Sequence, residues 1–214
     1  MFDFLEKTEV NRNFPKESLY KNSAVSSKLK GKIVEQIKSI YWRNKLSANT
    51  INLSADKKSD EIHVFEISLK TGFIDNEILD FIDEKIYYYT LFVIEYNGLY
   101  QANIAYKEIT DNKVNIIKRY STDKMPLEDL PIKINGLSIN TVYENFIRQV
   151  AGDRLYFESA LNLNEAVSMD INRCRILSEI EKLEKKISKE KQFNIKIELS
   201  TQVKKLHREL EGLK

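Results

Sequence analysis

The sequence predicts an α+β protein. A mixed or antiparallel β-sheet with flanking helices is followed by a coiled-coil-like C-terminal helical hairpin. Three observations predict it. Residues 62–69 alternate side-chain character with the period of two that a strand covered on one face requires. Asn97-Gly98 separates two β-rich runs, and both residues tolerate the positive φ of a two-residue hairpin turn. From Ile176 to Leu213, apolar residues recur at steps of three and four along two charged tracts, the spacing of a coiled-coil seam.

The elements follow in order. Pro15, Asn11 and Asn13 break any periodicity in residues 1–25, which read as irregular or short elements. Ser26 and Ser27 cap a predicted helix through Lys45, with Leu29, Ile33, Val34, Ile37, Ile40 and Tyr41 as its apolar face. Residues 50–53 are a short strand and residues 54–60 a polar loop. The strand at 62–69 places Ile62, Val64, Glu66 and Ser68 on one face and His63, Phe65, Ile67 and Leu69 on the other. Residues 75–85 form a helix with Ile78, Leu79, Phe81 and Ile82 as its stripe. The continuous β-rich run at 86–96 suits a strand covered on both faces. Strands at 99–106 and 114–120 complete an antiparallel meander. Of Tyr87-Tyr88-Tyr89, consecutive strand positions face alternately, so they form no single stacking platform and two of them are expected in the core. A helix opens at Ser138 or Asn140, carries Val142, Tyr143, Phe146, Ile147 and Val150, and ends at Ala151-Gly152-Asp153.

The hairpin has two seams, Ile176, Ile180, Leu183 and Ile187, then Leu199, Val203, Leu206, Leu210 and Leu213. Continuing the first across the break at Gln192-Phe193-Asn194 would put Lys191, Asn194 and Glu198 on the seam, so the register restarts and two helices are expected. The expected domains are a globular body, 1–160, and the hairpin extension, 161–214.

Composition narrows the function classes. No apolar run approaches the roughly 20 residues of a membrane span, and the start, Met1-Phe2-Asp3-Phe4, lacks a signal peptide's pattern. A cytoplasmic location away from membranes is therefore expected. The single cysteine, Cys174, excludes an internal disulfide and, with the distant His63 and His207, makes no metal site. The net charge of +2 is unevenly spread. Residues 1–45 hold ten Lys/Arg against five Asp/Glu, residues 46–170 twelve against twenty, and residues 171–214 twelve against seven. The basic ends are interleaved with Glu and read as solvated helix faces.

Two constellations carry candidate chemistry. Trp42, Lys45, Asn49, Thr50 and Asn52 cluster where a helix hands over to a strand, a place where scaffolds present binding groups. A lysine with amide and hydroxyl neighbours suits a phosphate or carboxylate. The competing reading is that Trp42 fills the core while Asn49 and Thr50 satisfy turn backbone. The second set is Glu66, Ser68 and Lys70 on one strand, with Asp60-Glu61 upstream. A nuclease of the PD-(D/E)xK type holds Mg²⁺ with an Asp and a Glu and needs a Lys two residues beyond that Glu. Here Asp60, Glu66 and Lys70 are the nearest candidates, in a loosely compatible order of helix, strand, strand, helix, strand. Ser68, however, stands where the lysine belongs, and the competing reading is a strand-edge ion pair. Mg²⁺ enters only under this alternative, and no other cofactor is expected.

Several stretches resemble a bacterial family known as domain-of-unknown-function family 4391. They are Phe14-Pro15-Lys16, Ile40-Tyr41-Trp42-Arg43-Asn44-Lys45-Leu46-Ser47-Ala48-Asn49-Thr50-Ile51-Asn52, Glu61-Ile62-His63-Val64-Phe65-Glu66-Ile67-Ser68-Leu69-Lys70, Ile104-Ala105-Tyr106-Lys107-Glu108 and Glu190-Lys191-Gln192-Phe193-Asn194. The likeness covers most of the chain. The family has no established activity to carry over, but the resemblance implies a setting beside helicases and DNA methyltransferases of restriction or antiphage-defence type. The expected role is a non-enzymatic accessory or assembly subunit. The hairpin would hold a protein partner or a second copy, with any DNA association indirect. A divergent Mg²⁺-dependent nuclease and a homo-oligomeric ligand-binding protein are the alternatives. If the two seams pack on each other, recognition falls to the hairpin's outer face, with Glu181, Lys182, Lys185 and Lys186 setting partner choice.

Overall fold

The computed structural model describes residues 4–21, 25–53, 61–110, 113–155 and 161–213. It is an α+β structure that divides into two compact units, Met1–Gly152 and Asp153–Lys214.

Among the described residues of the first unit, six strands form one sheet in chain order. They are β1 (Glu9–Asn13), β2 (Ile37–Ser47), β3 (Glu61–Leu69), β4 (Tyr89–Tyr96), β5 (Leu99–Thr110) and β6 (Lys113–Ser121). All neighbours are antiparallel except β3 and β4, which run parallel. A parallel pair requires a crossover, and α3 (Asn76–Lys85) supplies it. The other helices of this unit are α1 (Ser27–Gln36), α2 (Ala48–Ile51) and α4 (Ile139–Ala151).

The sheet is covered on both faces. Leu29 and Ile33 of α1 and Ile78, Leu79 and Ile82 of α3 pack with Ile40, Phe65, Ile67, Phe92 and Ile94 in one core. Each such fully buried side chain contributes about 1.5–3 kcal/mol. Strand alternation turns Thr90, Phe92 and Ile94 toward α3 and Tyr89, Leu91 and Val93 toward α4. Accordingly Thr90 bonds Asp83 of α3, and the Tyr89 ring stacks on Tyr143 of α4. The β4–β5 turn takes positive φ at both Asn97 and Gly98, as the dipeptide predicts. Ser138 caps α4 by accepting from Thr141 N at 3.2 Å.

Three local expectations change. The helix from Ser26 stops at Gln36, and residues 37–47 are strand β2, paired along β3 through Ile37↔Leu69, Ile40↔Ile67 and Trp42↔Phe65. The predicted strand at 50–53 gives way to the short helix α2, closed by Asn52 in the left-handed conformation. Tyr89 alone of the three tyrosines is in the core, because β4 begins there; Tyr87 and Tyr88 precede the strand and stay exposed. A strand that the periodicity hides, β1, runs along β2 with only Val10 half-covered.

A buried polar network ties the crossover helix to the sheet. Asp83, in the last turn of α3, has no exposed side-chain surface; neither has Lys107 of β5. Lys107 Nζ lies 2.7 Å from Asp83 Oδ1 and donates to Thr90 Oγ1 at 3.1 Å. Arg119 of β6 also pairs with Asp83, and bonds Asp80 Oδ1 through Nε at 2.8 Å and Asn103 Oδ1 at 2.8 Å.

In the second unit, α5 (Leu163–Lys189) and α6 (Phe193–Glu211) form the hairpin. Asn162 caps α5 by accepting from Glu165 N at 2.9 Å, and Glu165 accepts in return from Asn162 N. Ile176, Ile180 and Leu183 are buried and Ile187 is half-buried. Leu199, Val203, Leu206, Leu210 and Leu213 are half-buried, and Arg175 reaches Glu209 at 3.4 Å, as antiparallel packing demands.

Removing the Asp83 carboxylate strands the fully buried Lys107 ammonium and leaves Arg119 with Asp80 as its remaining carboxylate. Asp83→Ala is expected to destabilise the first unit by about 3–5 kcal/mol. Chemical denaturation of the full chain followed by tyrosine and tryptophan fluorescence checks this.

Candidate functional site

The two most informative residues of the predicted binding cluster do converge, but with partners other than those anticipated. Trp42 and Lys45 sit on β2, and the β2–β3 register places Lys45 opposite His63. Three rings then form a stack. Trp42 lies over His63 with centroids 4.8 Å apart and 20° between planes, and His63 lies over Tyr88 at 4.8 Å and 16°. Phe65 extends the stack inward, 6.3 Å from Trp42. Trp42 Nε1 donates to Asn44 O at 3.0 Å, which fixes the indole plane.

A polar chain runs beside these rings. Lys45 Nζ is 2.5 Å from Glu61 Oε1, and His63 Nε2 is 2.9 Å from Glu61 Oε2. An ionised carboxylate only accepts, so this contact places a proton on Nε2. Burial between two rings holds the His63 imidazole below its ordinary range, against the opposing pull of Glu61. Burial raises the Glu61 carboxyl, but hydrogen bonds from Lys45 and His63 together outweigh it and leave it below the usual carboxylate range. The result is a neutral imidazole sandwiched by aromatic faces, with an ion pair at its edge.

The rest of the cluster does local structural work. Thr50 Oγ1 accepts from Ser47 N at 2.8 Å and lies within hydrogen-bond distance of the Lys45 and Ser47 carbonyls. Asn52 is the left-handed cap of α2, and Asn49 is exposed on that helix.

Of the nuclease alternative, Asp60 lies outside the described residues. Glu66 is on β3 and takes the Arg43 guanidinium at 2.8 Å on Oε1. Lys70, just past the strand, donates through Nζ to Val34 O at 2.7 Å, one of the carbonyls that the end of α1 leaves without a helical partner. The two side chains therefore bind different partners. Among the described residues, no group of three or more His, Cys, Asp or Glu is placed to hold a metal ion.

Periodicity and spacing miss His63, Tyr88 and Glu61 as partners of Trp42 and Lys45. Only the β2–β3 register, with its irregularity between Trp42 and Asn44, brings them together.

These features define a class of protein: a mixed-sheet α+β domain with an aromatic stack edged by ion pairs, followed in the chain by an antiparallel helical hairpin. The chain belongs to the family described as domain of unknown function DUF4391, whose model matches residues 2–210. No curated protein and no solved structure matches the chain. Among the described residues, no helix is long and apolar enough to cross a membrane.

The lowered His63 pKa sets a pH window. The unfolded chain binds a proton near pH 6.5, where the folded state does not, so this contribution to stability is complete above that pH and is lost as pH falls from 6.5 toward the folded value. Thermal melts between pH 7.5 and 5.5 are expected to show a falling Tm. A His63→Phe variant should lose most of that slope.

Proposed function

We propose that the protein is a non-enzymatic accessory subunit whose hairpin docks on a protein partner, a helicase or DNA methyltransferase of a defence system. The carrying observation is the exposure of Phe193, 74%, and Ile197, 51%, one helical turn apart at the start of α6. The apolar seams of α5 and α6 already pack on each other, so these two side chains are surplus to the hairpin's own packing. Lys185, Lys186, Lys189 and Lys191 are exposed around the same end of the hairpin, and residues 171–214 carry twelve basic against seven acidic residues. A second copy of this hairpin would meet like charge. An apolar notch with an acidic rim on a different protein complements it, with Phe193 as the buried anchor. In the body, Glu66 is paired with Arg43 and Glu61 with Lys45, so these strand-borne charges are held in ion pairs.

Co-expression with a helicase or methyltransferase from its own gene neighbourhood is expected to yield a complex that co-elutes in gel filtration. A Phe193→Ser/Ile197→Ser variant should weaken it at least about tenfold, the loss of roughly one well-buried apolar anchor. Far-ultraviolet circular dichroism should stay unchanged, because neither residue is in the seam. Undiminished association of this helical variant would overturn the reading.

A second reading, the divergent Mg²⁺-dependent nuclease, is favoured by one observation, the order α1, β2, β3, α3, β4 around Glu66. Its chemistry requires Arg43 to leave Glu66 and Lys70 to leave the Val34 carbonyl before a metal and a water can be held. Under the first reading, supercoiled plasmid incubated with the purified chain and Mg²⁺ or Mn²⁺ stays supercoiled. Nicking that disappears with Glu66→Ala would establish the second.

A further inference from the structure

We infer that a cleft on the α4 side of the sheet binds a small organic cation, an alkylammonium or alkylguanidinium group. The cleft, of about 280 Å³, opens where the second half of β5 passes the first turns of α4. That volume, just under the roughly 300 Å³ at which the range for ligand pockets begins, suits only a small ligand.

Two periodicities assemble its walls. On β5, Tyr106 and Glu108 are two residues apart and share a strand face. On α4, Asn140, Tyr143 and Glu144 are three and four apart and share a helix face. Tyr89, at the start of β4, closes the site from the strand side. The lining is preorganised. The Tyr89 and Tyr143 rings stack with centroids 3.7 Å apart and 11° between planes. Tyr89 Oη donates to Asn140 Oδ1 at 3.1 Å, Asn140 Nδ2 donates to Glu144 Oε1 at 2.8 Å, and Tyr143 Oη donates to the Ala105 carbonyl. Ring edges and the Glu144 carboxylate are thereby held in fixed positions.

The charge of the cleft selects the ligand class. Its ionised side chains facing solvent are Glu108 and Glu144. Lys107 also lines it, yet its ammonium is held 2.7 Å from Asp83 Oδ1 with no exposed side-chain surface, so it does not neutralise the site. The Tyr106 phenol is pushed above its ordinary range by burial and by the negative charge of Glu108 and Glu144, the same field a bound cation would relieve. Two carboxylates repel anions and favour a cation, and the tyrosine rings offer apolar surface to the stem that carries it. A planar guanidinium or a compact ammonium on an apolar stem meets both conditions.

The source of the cation is either a free diamine-like metabolite or a Lys/Arg side chain of a peptide. Calorimetric titration of the full chain with agmatine, and with a blocked Gly-Arg-Gly peptide, separates the two. Saturable binding of agmatine alone assigns the site to a free cation, and binding of both assigns it to the side chain as well; either outcome supports the inference. Glu108→Gln removes an exposed carboxylate without disturbing the core, so its Tm should be unchanged while affinity falls at least about tenfold, as for a lost charge-assisted hydrogen bond. Glu144→Gln should do the same. No saturable binding of either cation, equal binding of the corresponding citrulline peptide, or unchanged affinity in both variants would overturn it. This result is independent of whether the hairpin docks on a partner.

Discussion

The carboxylate of Asp83 holds the first unit in its topology. It lies in the last turn of α3, where the helix dipole disfavours an anion, and it has been removed from water altogether. Such a group is tolerated only when its partners are close and well aimed. Lys107 from β5, Arg119 from β6 and the Thr90 hydroxyl from β4 provide them. One side chain thus joins the crossover helix to the three strands that follow it in the chain. The parallel β3–β4 pairing depends on α3 lying over the sheet, so α3 misplaced by one turn would bury an unpaired anion and two unpaired cations. An ion network of this kind adds modest net stability, but it penalises every alternative seating of the helix.

Strand alternation divides β5 between the two faces of the sheet. Lys107 turns to the α3 side and pairs its ammonium with Asp83, while Tyr106 and Glu108 turn to the α4 side and line the cleft. The buried ion network and the tyrosine-lined cleft therefore lie back to back on one strand, and the alternation that gives Asp83 its cation also gives the cleft its carboxylate.

Much of the architecture is legible in the sequence because local preference and tertiary environment agree there. Strand β3, the Asn97-Gly98 turn, α3, α4 and the two hairpin helices all follow their expected period. Strand β2 does not, and its register explains why. Trp42 pairs with Phe65 and Asn44 with Val64, so Arg43 is an extra residue; Ile37 pairs with Leu69 and Ser39 with Ser68, so Lys38 is another. Each bulge adds one residue to the alternation, and the side chains facing α1 and α3 fall at 37, 40, 42 and 45. Steps of three, two and three next to a true helix imitate helical spacing. The bulge at Arg43 also lets its guanidinium reach Glu66 and lie over the Tyr41 ring. The candidate site was half-legible for the same reason. Trp42 and Lys45 stand out by residue type, but their partners are set by cross-strand register, and the Asn/Thr residues beside them are chosen by the backbone demands of α2.

The hairpin's outward apolar residues stand in contrast to this economy. Its stability has visible internal sources: the seam of Ile176, Ile180 and Leu183 against α6, the capping box at Asn162 and Glu165, and the exposed i,i+4 pairs Glu181–Lys185 and Arg175–Glu179. The turn has its own support, since the Glu190 carboxylate accepts from Lys191 N and Gln192 N at 2.7 and 2.9 Å. None of these uses Phe193 or Ile197. Phe193 opens α6 at a position where aromatic residues bring no helix-forming advantage, and it projects its ring into water beside lysines. A side chain that serves neither propensity, capping nor packing in its own unit gains its free energy by leaving water against something else. That is the physical content of the proposed docking role, and it assigns the contact to the end of the hairpin, outside the seam.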